Sequence, residues 1–253
     1  MIESFEKTKL AGSIAAGALD EVNNIIKPGI TTSEIDKLCY QYINDHKAYS
    51  APLYYRGYPK SCCTSSNHVV CHGIPSEKIL YDGDVINVDV TAIKDGWHGD
   101  TSRMFIVGEC SIKAKKLIKV TYDSMMKAIK TIKANTRIGN IGYTIQKIVE
   151  AEGFSVVRDF CGHGIGKKFH ESPNVLHYGE KDSGQELKEG MIFTVEPMIN
   201  SGKFETKTLK DGWTAVTKDK SLSAQFEHTV GVTKEGYEIF TLSKKSLNFP
   251  PNL

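Results

Sequence analysis

NVDVTAIKDGWHGDTS, residues 87–102, sets two aspartates where a folded chain rarely tolerates them: Asp89 inside an apolar run and Asp100 just past a turn. The run VINVDVTAI is rich in β-branched residues, Asp95-Gly96 is a two-residue turn signal, and WHGDTSRMFIV resumes the extended pattern. The spacing therefore predicts a hairpin. With Asp95 and Gly96 as the central turn residues, directly opposed residues have numbers that sum to 191. Thr91 then faces Asp100, and Asp89 becomes the diagonal cross-strand neighbour of Asp100, ~7 Å away on the same face. A slip of one residue would send the two carboxylates to opposite faces. Carboxylates placed this way repel each other and can hold a common cation.

The rest of the chain supplies a frame for such a site. Its 253 residues, 40% of them apolar, suffice for one large domain or two fused halves, with no linker between them. Apolar clusters such as MFIV (104–107) are far too short to span a bilayer, and the charged start MIESFEKTKL is no secretory signal, so the expectation is a cytoplasmic protein. The six cysteines lack C-x-x-C spacing and read as reduced and mostly buried, which argues against a cysteine-based zinc site. A net charge of +2 gives no case for specific nucleic-acid binding. The lysines of SIKAKKLIK (111–119) read as the wet face of a helix, and a transient ribosome contact is an expectation with no motif behind it.

The chain also looks written twice. Leu10, Ile14, Ala18, Val22, Ile25 and Ile26 predict a helix over 3–26, stopped by Lys27-Pro28-Gly29. TTSEIDKLCYQYI opens a second, with a Thr31/Glu34 capping box and a stripe of Ile35, Leu38, Cys39, Tyr42 and Ile43. At an offset of 106, Lys27 matches Lys133, Ile35 matches Ile141 and Ile43 matches Val149. VVCHGIP around His72 is echoed by FCGHGIG around His163 at a shorter offset of 91, and DGDVINVD by EGMIFTVE at 107, which pairs Asp89 with Glu196. The changing offsets mark insertions within a duplication. The expectation is one catalytic domain, 1–253, made of pseudo-repeats of about 20–110 and 125–240, whose pseudo-two-fold axis brings Asp89 and Glu196 together.

Few residues can complete a site there. In QFEHTVGV, Glu227 projects from the polar face of a strand beside Gln225 and Thr229; in MIFTVEP, Glu196 ends a strand at Pro197; and His163 sits between glycines, where backbone approaches closely. Each has a bland alternative: a structural histidine, a solvated glutamate, an aspartate bonded to its own backbone. Asp89 is harder to dismiss, because a carboxylate in the middle of VINVDV is costly to bury without a cation or several donors. Asp89, Asp100, Glu196 and Glu227 carry four negative charges when ionised, which two divalent ions balance while neutral His163 adds a nitrogen ligand. One metal, or an arginine partner, would satisfy some of the same acids.

Taken together, VVCHGIP, NVDVTAIKDGWHGDTS, CGHGIG, FHESP, FTVEPM, DGWT and SAQFEHT resemble, in order and over nearly the whole chain, the motifs of type I methionine aminopeptidases. The resemblance implies an α+β pita-bread fold: two pseudo-symmetric halves, their antiparallel sheet covered by helices, around a central dinuclear metal site. It implies metal ligation by Asp89, Asp100, His163, Glu196 and Glu227, with Asp100 and Glu227 bridging, and divalent Co, Mn, Fe or Zn as cofactor. It makes Glu196 the proton shuttle, places His72 and His170 beside the scissile amide, and lines the methionine pocket with Tyr55, Tyr58, Cys63, Phe169 and Trp213. Aromatic residues more often pack a core, yet an aromatic lining suits unbranched, sulfur-bearing methionine. The implied activity is removal of the initiator methionine from nascent or newly made chains by metal-activated hydroxide attack on the first peptide bond, with a small second residue preferred and a monomer acting alone.

Two features depart from the family. SSNHVVCHG carries His68 where an acidic residue is common, and the sequence starts almost at its first helix, so an N-terminal zinc-finger or SH3-binding extension is not expected. A proline-specific or creatinase-type relative would need an additional domain before His72. A non-catalytic pita-bread protein that binds partners would be expected to have broken ligands.

Overall fold

The computed structural model describes residues 2–251 and 253. Four helices form where the apolar spacing asks for them: α1 (Ile2–Ile25), α2 (Thr32–Asp45), α3 (Ile112–Ile129) and α4 (Gly139–Ala151). α2 begins on the expected capping box, with Thr31 Oγ1 accepting from the Glu34 N–H and Glu34 reaching back to the Thr31 N–H. Ile35, Cys39 and Ile43 of its stripe are fully buried. The lysine-rich start of α3 keeps Lys113, Lys116 and Lys119 in solvent while Ala114, Leu117 and Ile118 face inward.

One expected core position is not a core position. Leu10 is 45% exposed. Beside Leu10, α1 rests on the sheet through Ala11, Gly12 and Ala15, and a Cβ on Gly99 would fall 2.2 Å from the Gly12 nitrogen. The helix and strand backbones therefore meet at two glycines, and Leu10 is rotated off the contact face.

The sheet is what positions the site. Among the described residues it runs, every pairing antiparallel, through Tyr49–Ser50, Val85–Lys94, Trp97–Ile106, Glu227–Val232, Ile192–Val195, Gly162–Gly164 and Glu171–Val175. Cys63–Ser66 adds to the second of these strands and Tyr237–Ile239 to the fourth. The hairpin of residues 85–106 has the register its turn dictates, with Thr91 opposite Asp100 and Asp89 opposite Ser102. A separate three-stranded sheet of Val69–Cys71, Ala215–Thr217 and Thr206–Thr208 sets His72 and Trp213 at its ends.

Two apolar cores flank this framework. One is built from residues 14–107 under α1 and α2; the other takes Val85, Met104 and Ile106 from the hairpin and then residues 114–232 under α3 and α4. The helices and antiparallel sheet make an α+β, pita-bread arrangement. Among the described residues, no helix is long and apolar enough to cross a membrane. Cys39, Cys62, Cys63 and Cys71 are buried, Cys110 and Cys161 half-buried, and all are free.

Candidate metal centre

Two rows of side chains cross the sheet at right angles to its strands. The first follows Cα partners from Cys63 to Asp89, to Ser102 and to Glu227. The second runs from Thr91 to Asp100 and on to Thr229, whose hydroxyl accepts the Asp100 N–H at 3.0 Å and donates to the Asp100 carbonyl at 2.8 Å. Thr229 is paired with Thr194, and Thr194 Oγ1 in turn accepts the His163 N–H at 3.0 Å. Opposed residues share a face, so both rows look into the same cavity. Glu196 joins them from just past the end of the strand at Val195, where Pro197 cannot continue the ladder.

That cavity has a volume of about 380 Å³, and its walls include all twelve residues singled out from the sequence: the five proposed ligands, His72, His170 and the five pocket residues. The Glu227 strand differs from the expected one in two ways. It is interrupted at Phe226, and its polar face is not wet: every residue from Glu227 to Val232 is buried, and Glu227 is 2% exposed. The polar face is the cavity floor.

The electrostatics of this floor call for a cation. Oδ1 of Asp89 and Oε1 of Glu227 are buried and have no hydrogen-bond partner, a costly condition for carboxylates. Burial pushes Asp89 up to about 7. Burial also lifts Glu196 to about 8, opposed by a 2.7 Å hydrogen bond from Thr194 Oγ1 and reinforced by the Asp89 charge. Asp100 and Glu227 stand well above the usual carboxylate range through burial and then through neighbouring carboxylates, although Thr91 Oγ1 donates to Asp100 at 2.7 Å.

His163 supplies the sharper sign. Its Nδ1 lies 3.1 Å from the Gly164 carbonyl, which can only accept, so the proton sits on Nδ1 and Nε2 presents a lone pair. That lone pair faces Oδ2 of Asp100 at 3.8 Å and Oε1 of Glu196 at 3.6 Å. Burial lowers the ring to about 4, so it is neutral. A lone pair aimed at two carboxylate oxygens is unfavourable unless a positive ion lies among them. Donor atoms of Asp100, His163 and Glu227 come within 4.8 Å of one another, so the residues fit a divalent metal. The flanking glycines are required by packing, since a Cβ on Gly162 would lie 2.4 Å from the Thr194 carbonyl and one on Gly164 2.1 Å from that of Ser172.

Beside the acidic floor lies an aromatic wall. Tyr58 is 2% exposed, with its hydroxyl 3.0 Å from the carbonyls of both Cys62 and Gly73, and it meets Trp213 edge to face at 5.2 Å. The DGWT turn that carries Trp213 is fixed by Asp211, which accepts from the N–H groups of Trp213 and Thr214, each at 2.9 Å. His72 adopts φ +56° and meets Phe160 edge to face at 5.4 Å. The His170 ring lies tilted, 4.2 Å from the His163 ring and 4.1 Å from that of Phe169, with Nδ1 3.1 Å from the Tyr55 hydroxyl.

The family model for metallopeptidase family M24 matches residues 6–234. The chain belongs to metallopeptidase family M24. Among its M24 relatives, the methionine aminopeptidase of Rickettsia prowazekii is 56% identical over 250 residues, covering 98% of this chain and 96% of that protein. The crystal structure of methionine aminopeptidase from Rickettsia prowazekii superposes with a TM-score of 0.95 at 56% identity, covering 96% of this chain and 98% of that one. The prolidase of Pyrococcus horikoshii shares the fold at 21% identity and a TM-score of 0.76, but this chain spans only 62% of it. M24 membership implies the use of divalent metal.

The M24 site also holds residues that sequence reasoning passed over. Thr91 and Thr229 brace Asp100 in the second row and Thr194 holds His163 and Glu196; Thr91, opposite Asp100, and Thr229, on the polar face of its strand, had a signal, and Thr194 had none. Asn87 Nδ2 donates to Ser102 Oγ at 3.0 Å and to the Gln225 carbonyl at 2.8 Å, which joins the hairpin to the segment before Glu227. His98 donates from Nδ1 to the Gly166 carbonyl at 2.9 Å and stacks on Phe169 at 5.7 Å. His177, fully buried, accepts the Glu196 N–H on Nε2 at 3.1 Å. Arg56, Cys71, Phe160, Cys161 and Met198 also line the cavity. These contacts join residues up to 138 positions apart, beyond the reach of local pattern.

Proposed function

We propose that this chain is a metal-dependent aminopeptidase that removes the N-terminal initiator methionine from nascent or newly synthesised proteins, with a small second residue preferred. The observation that carries the reading is one cavity in which a buried acidic floor adjoins an aromatic and thiol wall. In this reading Asp89, Asp100, His163, Glu196 and Glu227 would hold two divalent ions, drawn from Mn, Fe, Co and Zn. The charge balance supports two ions over one, because four buried carboxylates need four compensating charges. Bound there, the metals supply the Lewis acidity that polarises the first peptide carbonyl and activates water.

The remaining chemistry belongs to the side chains. Tyr58, Cys63, Phe169, Trp213 and Tyr55 receive the methionine side chain, whose thioether makes favourable contacts with aromatic edges. Glu196, held by Thr194 and His177, takes a proton from the attacking water and returns it to the leaving nitrogen. With the Tyr55 hydroxyl donating to Nδ1 of His170, the Nε2–H of that ring is free to donate to the carbonyl oxygen as it becomes negative. His72 flanks the scissile amide from the opposite wall. The chain works as one catalytic domain of two pseudo-repeats, about 20–110 and 125–240, in the cytoplasm and on chains leaving the ribosome.

Peptides beginning Met-Ala, Met-Gly, Met-Lys and Met-Phe, with Leu-Ala as a control, test the reading. Met-Ala and Met-Gly are expected to be turned over much faster than Met-Lys and Met-Phe, with Leu-Ala a poor substrate. Equal turnover of the four methionine peptides would remove the size filter, and equal release of leucine would remove the methionine pocket.

A further inference from the structure

A line of contacts leads out of the cavity. From the His163 ring it passes to the His170 ring at 4.2 Å, to the Tyr55 hydroxyl at 3.1 Å from Nδ1, and to Arg56, whose guanidinium carbon lies 5.3 Å from the Tyr55 ring centroid. Arg56 is exposed, and it is the only lysine or arginine among the described residues that line the cavity. Tyr55 is its neighbour, and among the described residues it has no ion-pair partner. Its backbone is strained, with φ +48°, and Tyr54 two residues before it has φ +66°. A bulky residue in the left-handed region is uncommon, and such strain gathers at ligand-contacting segments. The cavity's one other charged group outside the acidic floor and the histidines, Asp159, accepts from Thr206 Oγ1 through one of its two carboxylate oxygens.

We infer that Arg56 is a specificity-determining residue that selects substrates with an acidic third residue, by pairing its guanidinium with that carboxylate as the peptide leaves the cavity past His170 and Tyr55. The inference rests on the aminopeptidase reading. With the first carbonyl at the acidic floor and the second residue confined beside His170, an extended peptide advances by ~3.3–3.6 Å per residue. Its third side chain then reaches the rim where Arg56 stands. Guanidinium matches carboxylate geometry as a two-pronged donor, and the pairing is solvent-exposed, so its effect is modest and salt-sensitive.

The test compares kcat/KM for Met-Ala-Glu, Met-Ala-Gln and Met-Ala-Lys peptides that are otherwise identical. It is paired with calorimetric affinity for the Glu and Lys peptides carrying a non-hydrolysable methylene-amine link in place of the first amide. The expected result is a Glu over Lys preference of about two- to five-fold in both readouts, shrinking as salt rises from about 0.05 to about 0.5 M. Arg56→Asn, which suits a positive φ, brings the ratio close to one, and Arg56→Lys keeps part of it. A ratio of one in the unmodified protein, a preference for lysine that would assign the rim to Asp159, or a preference untouched by Arg56→Asn each overturns the proposal. No methionine release from any of the three peptides would instead sink the aminopeptidase reading itself.

Discussion

The two strand pairs that carry the acidic floor are built differently. Val85–Lys94 and Trp97–Ile106 form an unbroken ladder of ten residues a side closed by a two-residue turn, and Asp89 and Asp100 sit inside it. Glu196 and Glu227 come from Ile192–Val195 and Glu227–Val232, which pair over four positions only. Glu196 stands past the end of its strand, before Pro197, and Glu227 starts its own strand after the break at Phe226. The ladder fixes its carboxylates through backbone. The broken pair holds Glu196 through side chains, with Thr194 on one oxygen and His177 on its backbone N–H. A rigid side suits residues that hold a metal, and a looser side suits a residue that moves a proton.

The largest effect that this contrast predicts is on the rigid side. Asp100→Asn removes a charge from the shared floor, so metal and activity are lost together, the activity on the order of 10⁴-fold, the scale of removing one member of a catalytic constellation. Metal analysis beside kinetics checks it, and a metallated, fully active variant would contradict the assignment. Outside both pairs, just before the strand Glu171–Val175, His170→Ala is expected to keep its metal and to lose about 10²–10³ in kcat with little change in substrate affinity. Normal turnover with a lowered Tm would instead make His170 a packing residue.

Threonine changes sharpen the comparison further. Thr194→Val strips a hydrogen bond from Glu196 and another from the His163 N–H, and costs about 10–100-fold in metal affinity or rate. Thr91→Val removes one bond from Asp100, which the ladder and Thr229 still hold, and costs less. Equal losses in the two variants would mean that the broken pair is as firmly fixed as the hairpin.

The same contrast explains what could be read from the sequence. The hairpin's turn, β-branched run and register are local, and every pairing from Val85 to Lys94 follows from Asp95-Gly96. The capping box at Thr31 and the buried stripe of α2 were legible for the same reason. Leu10 was not, because helical spacing marks a stripe but cannot show that Gly12 meets Gly99 and turns the helix. The Thr229–Asp100 and Asn87–Gln225 bonds join distant segments and leave no periodic mark. Asp89 stands out in the sequence because its carboxylate interrupts an apolar run, whereas Asp100, His163, Glu196 and Glu227 have bland alternatives taken singly and are proposed as ligands chiefly through the motifs that resemble type I methionine aminopeptidases. Arg56, His98 and His177 could not, since an arginine in a loop and histidines in strands or turns have ordinary explanations.

A smaller effect lies in stability against pH. Folded values of about 7 for Asp89 and about 8 for Glu196 exceed those of an unfolded carboxylate, so the metal-free folded state binds these protons more tightly. Their contribution is complete at low pH and is lost as pH rises through those values. Buried His163, His177 and His228, lowered by burial to about 4, about 3 and about 3, work in the opposite direction, but only below the ordinary histidine range. Between about pH 7 and about pH 8.5 the carboxylates therefore decide the sign. Tm of the metal-free protein falls there, each pK unit being worth about 1.4 kcal/mol or ~2–4 °C. Divalent metal abolishes the fall because it favours the ionised carboxylates. A metal-free Tm that rises over this window would show that burial does not hold protons on Asp89 and Glu196.

Asp89, Asp100, His163, Glu196 and Glu227 are proposed to hold together the metal on which peptide hydrolysis depends. Protein purified without oxygen, stripped by chelation and titrated with Mn, Fe, Co or Zn, tests it most directly, with bound metal and release of methionine from a Met-Ala peptide followed in the same samples. The stripped protein is expected to be inactive and to regain activity in step with occupancy, reaching two ions per chain. Undiminished methionine release from fully stripped protein would contradict the account.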